Sequence, residues 1–152
     1  MNKPALIEKL NRAIALELCA VIQYNQYSNV LMGADRRTWR DLFKDMSDGG
    51  LKDAREFGFH VVALGGTPTI EHAPVKQADN IQDMLNNALE LEQNLVQAYT
   101  DALAEGKDHP AYRNLLEDQI QHEHDEVEEL RIYANKVEKA AGASAKRMNR
   151  TA

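Results

Sequence analysis

Apolar residues recur every three or four positions through most of the chain, which is the spacing of one buried face of an α-helix. Turn and capping residues interrupt this pattern at three places and divide the chain into four long segments. No alternating strand pattern competes, so the sequence predicts an all-α protein. The first predicted helix runs from about Pro4 to before Gly33, and the second from around Asp35–Thr38 to Gly65-Gly66. The third begins after Asp79, where Gln82 is a capping-box signal, and ends at about Gly106. The fourth runs from Pro110 to about Ala140.

The connections between these helices differ in length, and this difference predicts their arrangement. Short links join the first helix to the second and the third to the fourth, which suits antiparallel neighbours. The link between the second and third helices has about 15 residues and reaches about 50 Å when extended, whereas the second helix is about 40 Å long. The prediction is therefore an antiparallel four-helix bundle with a long crossover, formed by residues 1–141 and followed by a flexible basic tail at 142–152.

Composition restricts the kind of protein this bundle belongs to. The chain has 152 residues, a net charge of −6 and one cysteine, Cys19. This length suits one domain, a lone cysteine excludes an intrachain disulfide, and no basic block suggests nucleic-acid binding. The N-terminal segment lacks the apolar core of a signal peptide, and no stretch is apolar enough to span a membrane. We therefore expect a cytoplasmic protein that binds neither nucleic acid nor a membrane.

Acidic residues interrupt the apolar face of every predicted helix. At about 100° per residue, Glu17 lies within the apolar arc of the first helix, Asp53 within that of the second and Glu92 within that of the third. In the fourth helix Glu123 lies within the arc and Glu126 at its edge. Four or five carboxylates are thus expected to meet in the core.

Carboxylates buried together repel one another and are costly unless a cation or protonation compensates them. No lysine or arginine lies near the centre of these arcs, and Arg131 is the nearest. Oxygen ligands favour hard cations such as iron(III), manganese, magnesium or calcium. The alternative is a bundle whose interior acids are protonated or hydrated. Inward acids on all four helices favour a metal site over that alternative.

Three motifs give the chain a resemblance to a known family. They are ELCAVIQY at residues 17–24, LGGTP at residues 64–68, and Leu91-Glu92 followed seven residues later by Tyr99. With these motifs the chain resembles the bacterioferritin-type ferritins over nearly all of its length except the tail. The resemblance implies a ferritin-like bundle, selects Glu92 rather than Glu90, and implies a dinuclear iron site. That site takes one Glu from the first and third helices and a Glu-x-x-His from the second and fourth.

The chain departs from the family pattern on two helices. Gapless comparison puts Gly50 where the second helix carries a metal-bridging Glu, and Asp53 where it carries the His. On the fourth helix Glu123 matches the Glu and Glu126 replaces the His; a reading shifted to Gln121 and His124 keeps a histidine but turns Gln121 off the apolar face. The resemblance therefore implies a carboxylate-only site with altered and weakened ferroxidase activity. Oxygen or water would then bind in the coordination space that Gly50 leaves open.

Several further side chains allow two interpretations. Tyr24 resembles the family's tyrosine beside the metal, where it would orient the carboxylates, but it also suits ordinary packing. His60 is either a ligand or a satisfied core histidine near Tyr99. His122 and His124 lie among acids and fit a solvated charged face.

The resemblance also bears on haem and assembly. Bacterioferritins bind haem through a methionine after the bridging Glu, and Leu51 stands at that position, so no haem is expected. The tail does not resemble the short apolar fifth helix of the 24-subunit shell, which makes a homodimer the simpler assembly, with a larger homo-oligomer as the alternative.

Two functional hypotheses follow from these observations. The first is a ferritin-like protein of iron handling that binds iron, or manganese, at Glu17, Asp53, Glu92, Glu123 and Glu126. The second is a pseudo-ferritin without metal function that acts as a structural or interaction protein. A third and weaker hypothesis is a metal-dependent oxidase of an organic substrate.

Overall fold

The computed structural model describes residues 1–151, which form four helices and contain no strand. The all-α prediction is confirmed. None of the helices in this range combines the length and the apolar character needed to cross a membrane. The helices are α1 (Lys3–Val30), α2 (Arg36–Ala63), α3 (Ile81–Gly106) and α4 (Pro110–Thr151).

Local capping chemistry explains where these helices begin and end. The side chain of Asn2 accepts a hydrogen bond from the Ala5 amide and caps α1. The cap of α3 is Asn80, whose side chain accepts from the Asp83 amide at 2.9 Å; the predicted start beside Asp79 was therefore one residue early. Gly65 adopts a φ of +91° and ends α2, as expected for a left-handed C-terminal glycine.

The crossover, residues 64–80, runs along the length of α1 and is held to one stripe of that helix. The Ala73 amide donates to the Ala15 carbonyl at 2.8 Å, and the Cys19 thiol donates to the carbonyl of Pro74. One turn further on, Gln23 accepts from the Lys76 amide at 2.8 Å. Because these contacts advance along α1 at four-residue steps, the crossover returns the chain to the opposite end of the bundle. The predicted long crossover is confirmed.

The hydrophobic core has two parts, with a polar layer between them. Phe57, Tyr99 and Leu116 belong to the part near the start of α1, and Tyr27 and Phe43 belong to the part near its end. The buried acids occupy the helix positions between the two parts. All four helices contribute buried residues to both parts.

The end of α4 differs from the expected flexible tail. Residues 142–151 continue α4 without a break, and they are all exposed. The segment is rich in alanine, lysine and arginine, which are strong helix formers, and it contains no proline. Its helical state therefore follows from local propensity rather than from burial. The division of the chain at residue 141 stays a prediction.

We expect Gly65→Ala to lower the free energy of unfolding by about 1–2 kcal/mol, because a Cβ is costly in the left-handed conformation. Gly142→Ala is the matched control, since Gly142 lies in α4 with open space around it. That substitution should leave stability unchanged or raise it by up to about 1 kcal/mol. Denaturant titration measures both variants, and equal stabilities would contradict the role assigned to Gly65.

Candidate metal centre

Four carboxylates, one from each helix, lie in the polar layer between the two parts of the core. Glu17, Glu92 and Glu123 are each 2% exposed and Asp53 is 6% exposed. No lysine or arginine is buried within residues 1–151. Helical periodicity in the sequence predicts that these four acids point inward, and all four are buried.

Two buried tyrosines hydrogen-bond the carboxylates of α1 and α3. The Tyr99 hydroxyl donates to Glu17 Oε1 at 2.6 Å, and the Tyr24 hydroxyl donates to Glu92 Oε1. Tyr24 was expected to orient a carboxylate, and it contacts Glu92. The contact from Tyr99 to Glu17 was not anticipated, although Tyr99 belongs to one of the three motifs identified in the sequence.

Gln119 links the carboxylates of α2 and α4, and sequence reasoning missed it. Its amide nitrogen lies 3.0 Å from Asp53 Oδ2 and 2.5 Å from Glu123 Oε1. The available signal was its position four residues before Glu123, which puts both side chains on one face of α4. A neutral amide donor can satisfy two carboxylates without adding charge.

Ligand atoms that are suitable for cations lie close together in two groups. One group contains Asp53, His122 and Glu123, and the other contains Glu92, Glu123 and Glu126; within each group the oxygen or nitrogen atoms lie within 4.8 Å of one another. Glu123 belongs to both groups. The groups fit a hard cation because carboxylate oxygens predominate in them.

His122 was expected on a solvated charged face, and its side chain is indeed 55% exposed. It nevertheless reaches the acidic layer, since its Nε2 lies 3.4 Å from Glu126 Oε1. Glu126 in turn lines a surface cavity of about 170 Å³ together with Asp45, Met46 and Glu129. This cavity lies between α2 and α4 and exposes Glu126 at the edge of the acidic layer, whereas none of the four buried carboxylates lines it.

Burial and mutual repulsion favour the protonated form of these acids in the metal-free protein. Burial raises the pKa of Glu17 and Glu92 well above the usual range, and the charge of Glu123 raises both further. Burial likewise raises the pKa of Asp53 and of Glu123. It raises the pKa of Glu126 to about 7. The layer therefore holds more protons at neutral pH than free carboxylates would.

Gly50 does not leave the open coordination space that the sequence suggested. A Cβ at this position would lie 3.2 Å from the Glu17 carbonyl oxygen, 3.3 Å from Ala20 Cβ and 3.4 Å from Glu17 Oε2. The backbones of α1 and α2 approach each other closely here, and the Glu17 carboxylate occupies the adjacent space. A side chain at position 50 would therefore require these neighbouring atoms of α1 to shift by a few tenths of an ångström.

The remaining histidines lie outside the layer. His60 is half-buried among aromatic rings, 5.7 Å from the ring of Tyr112 and 6.4 Å from that of Phe57. His124 and Gln121 are both exposed, whereas Glu123 is buried. The comparison that matches Glu123 and Glu126 to the family motif therefore agrees with the burial on α4, whereas the alternative match to Gln121 and His124 does not.

Comparisons with known proteins agree with this architecture. The family model of the ferritin-like domain matches residues 7–140. A ferritin-like, diiron-carboxylate protein from Bacillus anthracis str. Ames is 28% identical, with a TM-score of 0.84 over 87% of this chain and 96% of the other. Among the curated proteins none matches in sequence.

Two bacterioferritins share the fold at lower identity. The protein from Desulfovibrio desulfuricans, solved with its diiron site in different catalytic states, is 23% identical, with a TM-score of 0.80 over 90% of this chain and 82% of the other. The protein from Rhodobacter capsulatus, solved with a metal-free dinuclear site and haem iron, is 22% identical, with a TM-score of 0.73 over 88% and 86%.

A four-helix bundle with a long crossover and one inward carboxylate on each helix defines a class of carboxylate-centred bundles. The chain belongs to the ferritin-like family. The resemblance to bacterioferritin-type ferritins that the sequence motifs indicated is confirmed at the level of family and fold.

The metal-free protein is expected to lose thermal stability as the pH rises from about 5 to about 8. Glu126 has a pKa of about 7 in the fold, whereas an unfolded glutamate titrates near ~4.3. The folded chain thus retains protons that the unfolded chain has released, and the stabilisation present at low pH is lost as the pH rises through the folded pKa.

Thermal melts with a chelator measure this dependence, and one kcal/mol corresponds to roughly 2–4 °C in a chain of this size. Glu126→Gln should make the curve less steep between about pH 5 and pH 8, because it removes one of the acids whose pKa is raised. Glu128→Gln, on the exposed face of α4, should leave it unchanged. A melting temperature that rises across this range would show that the acids stay ionised.

Removing one buried hydroxyl from the layer should destabilise the metal-free fold. We expect Tyr24→Phe to lower the free energy of unfolding by about 1–3 kcal/mol, because Glu92, which is 2% exposed, would lose this hydrogen-bond donor. Tyr133→Phe is the control, since the Tyr133 hydroxyl donates to Glu129, an exposed residue. Its loss should change stability by less than about 0.5 kcal/mol, and equal losses would contradict the prediction.

Proposed function

We propose that this protein binds iron, or a similar hard cation such as manganese, on a carboxylate site and acts in iron handling. The observation that carries the proposal is the layer of four buried carboxylates with no buried lysine or arginine within residues 1–151. A structural bundle would gain stability from apolar residues at these positions. Membership of the ferritin-like family supports the same proposal.

The ligands we propose are Glu17, Asp53, Glu92, Glu123 and Glu126. Glu123 would serve two cations, because it belongs to both groups of close ligand atoms. Tyr24 would orient Glu92 through its hydrogen bond, and Gln119 would keep Asp53 and Glu123 together. Bound iron would supply one-electron redox chemistry, and the carboxylates would set its charge and hold it in the bundle.

The proposed ferroxidase activity is weaker than that of a dinuclear site with the full family ligand set. Gly50 removes one bridging carboxylate, and acids replace both histidines at positions 53 and 126. The close approach of α1 and α2 at Gly50 supports this part of the proposal, because it leaves little room for a substitute ligand there.

A second candidate function is a pseudo-ferritin that serves as a structural or interaction protein. Its support is the hydrogen bonding of the layer, since Glu17, Asp53, Glu92 and Glu123 each have an internal partner. Raised pKa values make a protonated, metal-free core feasible at neutral pH. Metal analysis separates the two candidates.

Location and assembly are also proposals. We propose a cytoplasmic homodimer, or a larger homo-oligomer, that does not bind haem. The single cysteine, which is buried against the crossover, suits a reducing compartment. Leu51 at the position of the haem-binding methionine supports the absence of haem.

Metal analysis after anaerobic loading with iron(II) or manganese(II) tests the proposed function. We expect at least about one metal ion per chain, since occupancy depends on ligands that are already assembled. Glu123→Gln should reduce occupancy most, because Glu123 belongs to both groups of ligand atoms. Glu117→Gln is a matched control on the exposed part of α4 and should leave occupancy unchanged.

Occupancy below roughly 0.2 per chain, unchanged by Glu123→Gln, would favour the pseudo-ferritin instead. An iron(II) oxidation assay on the loaded protein then distinguishes a catalyst from a passive binder. A catalyst should oxidise iron(II) faster than the protein-free solution does, and Glu123→Gln should abolish this acceleration.

A further inference from the structure

The outer face of α4 carries acids along its first half. Asp118, Asp125 and Glu128 are all exposed, and they are separated by seven and three residues. Steps of three, four or seven residues keep side chains on one face of a helix. This face points away from the metal centre, because Glu123 and Val127 of the same helix point inward.

The second half of the same face carries bases. Lys136, Lys139, Lys146 and Arg150 continue the stripe at steps of three, seven and four residues, and all are exposed. Within residues 1–151 none of the four forms an ion pair. The last buried residue of α4 is Ala134, so most of this half lies beyond the packed part of the helix.

An exposed apolar residue, Ile132, separates the two halves. Its side chain is 65% exposed, and it lies four residues after Glu128 and four before Lys136. At equal distances from Ile132, the residue before it is acidic and the residue after it is basic. Asp125 and Lys139 stand seven residues from Ile132 in either direction.

An acid and a base also lie at equal distances further out, since Asp118 is fourteen residues before Ile132 and Lys146 is fourteen residues after it. Eleven residues away, Gln121 and Ala143 are both uncharged. Every acid on the stripe from 118 to 146 therefore has a base at the same distance beyond Ile132. When two copies of this face lie antiparallel, the acids of each copy therefore stand opposite the bases of the other.

We infer that α4 pairs antiparallel with α4 of a second copy of this chain, about a two-fold axis beside Ile132. Across a two-fold axis, if residue i of one copy contacts residue j of the other, then residue j of the first copy contacts residue i of the second. A face whose acids and bases lie at equal distances on either side of one residue satisfies this condition. Ile132 packs against its symmetry mate, and Glu128 faces Lys136 of the other copy. The paired stripe from 118 to 146 is about 42 Å long.

Charge complementarity favours a second copy over an anionic polymer. A nucleic acid lying along α4 would contact the bases of the second half but would meet Asp118, Asp125 and Glu128 on the same face. A second copy neutralises both halves at once. Because exposed ion pairs are individually weak and screened by salt, the pairing should be reversible and sensitive to ionic strength.

Charge reversal tests this inference without depending on the metal site. Sedimentation of the full chain should show dimers at about 50 mM salt, with the dissociation constant raised at least tenfold at about 500 mM. Lys136→Glu/Lys139→Glu and Asp125→Lys/Glu128→Lys should each raise it at least tenfold at low salt. An equal mixture of the two variants should restore the dimer.

Lys44→Glu/Lys107→Glu makes the same charge change at exposed positions off this face, and it should leave the dimer intact. Circular dichroism confirms that each variant is folded. A monomer at low salt, or a dimer that is indifferent to both reversals, would overturn the inference. Binding of duplex DNA by a chain that does not self-associate would overturn it in favour of a nucleic-acid surface.

Cysteine cross-linking tests the antiparallel register in an assembly of any size. Ile132→Cys should form an intermolecular disulfide on mild oxidation, because antiparallel helices bring the two axial positions within the roughly 7 Å between Cα atoms that a disulfide requires. Ala143→Cys should not cross-link to itself but should join Gln121→Cys in a mixture. The native thiol of Cys19 is buried and serves as an internal blank. Cross-linking of Ala143→Cys to itself, or none at Ile132→Cys, would overturn the pairing.

Discussion

The rest of the structure depends on the burial of four carboxylates in one layer. Glu17, Asp53, Glu92 and Glu123 interrupt a core that would otherwise be continuous, and they leave an apolar part on either side. Such a layer is tolerable only when protons, hydrogen-bond donors or a cation compensate it. Tyr24, Tyr99 and Gln119 provide the donors, and raised pKa values provide the protons. A metal ion would replace the protons, so metal binding and proton release are coupled in this fold.

The departures from the family pattern have a common physical consequence. With Gly50 on α2, the backbones of α1 and α2 approach closely enough that a Cβ at this position would lie only 3.2 Å from the Glu17 carbonyl oxygen. Acids at positions 53 and 126 then give the centre more negative charge than a site with two histidines. Such a centre favours a hard, highly charged cation and needs neutral donors when that cation is missing. Gln119, which contacts two carboxylates at once, meets this need.

The outer surface of α4 follows a separate logic from its inner one. Toward the core the helix presents Glu123, Val127 and Leu130, and on its outer side it presents acids followed by bases. The two patterns coexist because a helix separates its faces by 3.6-residue periodicity. Residues 138–151 are exposed in a single chain, whereas in the proposed pair of chains the basic half of the helix would face the acidic half of its partner. The proposed metal site and the proposed self-association surface thus lie on opposite sides of one helix.

The sequence by itself determined the four helices, the long crossover and the choice of inward acids, because helical periodicity and connection lengths are local properties. It selected Glu92 and Glu123 over their acidic neighbours, and both are buried. Only the tertiary structure decided that Gln119 and His122 reach the acidic layer, that Tyr99 contacts Glu17, and that Gly50 is closed by α1. These contacts depend on the distance and rotation between helices that are far apart in sequence, and no pattern within one helix specifies that geometry.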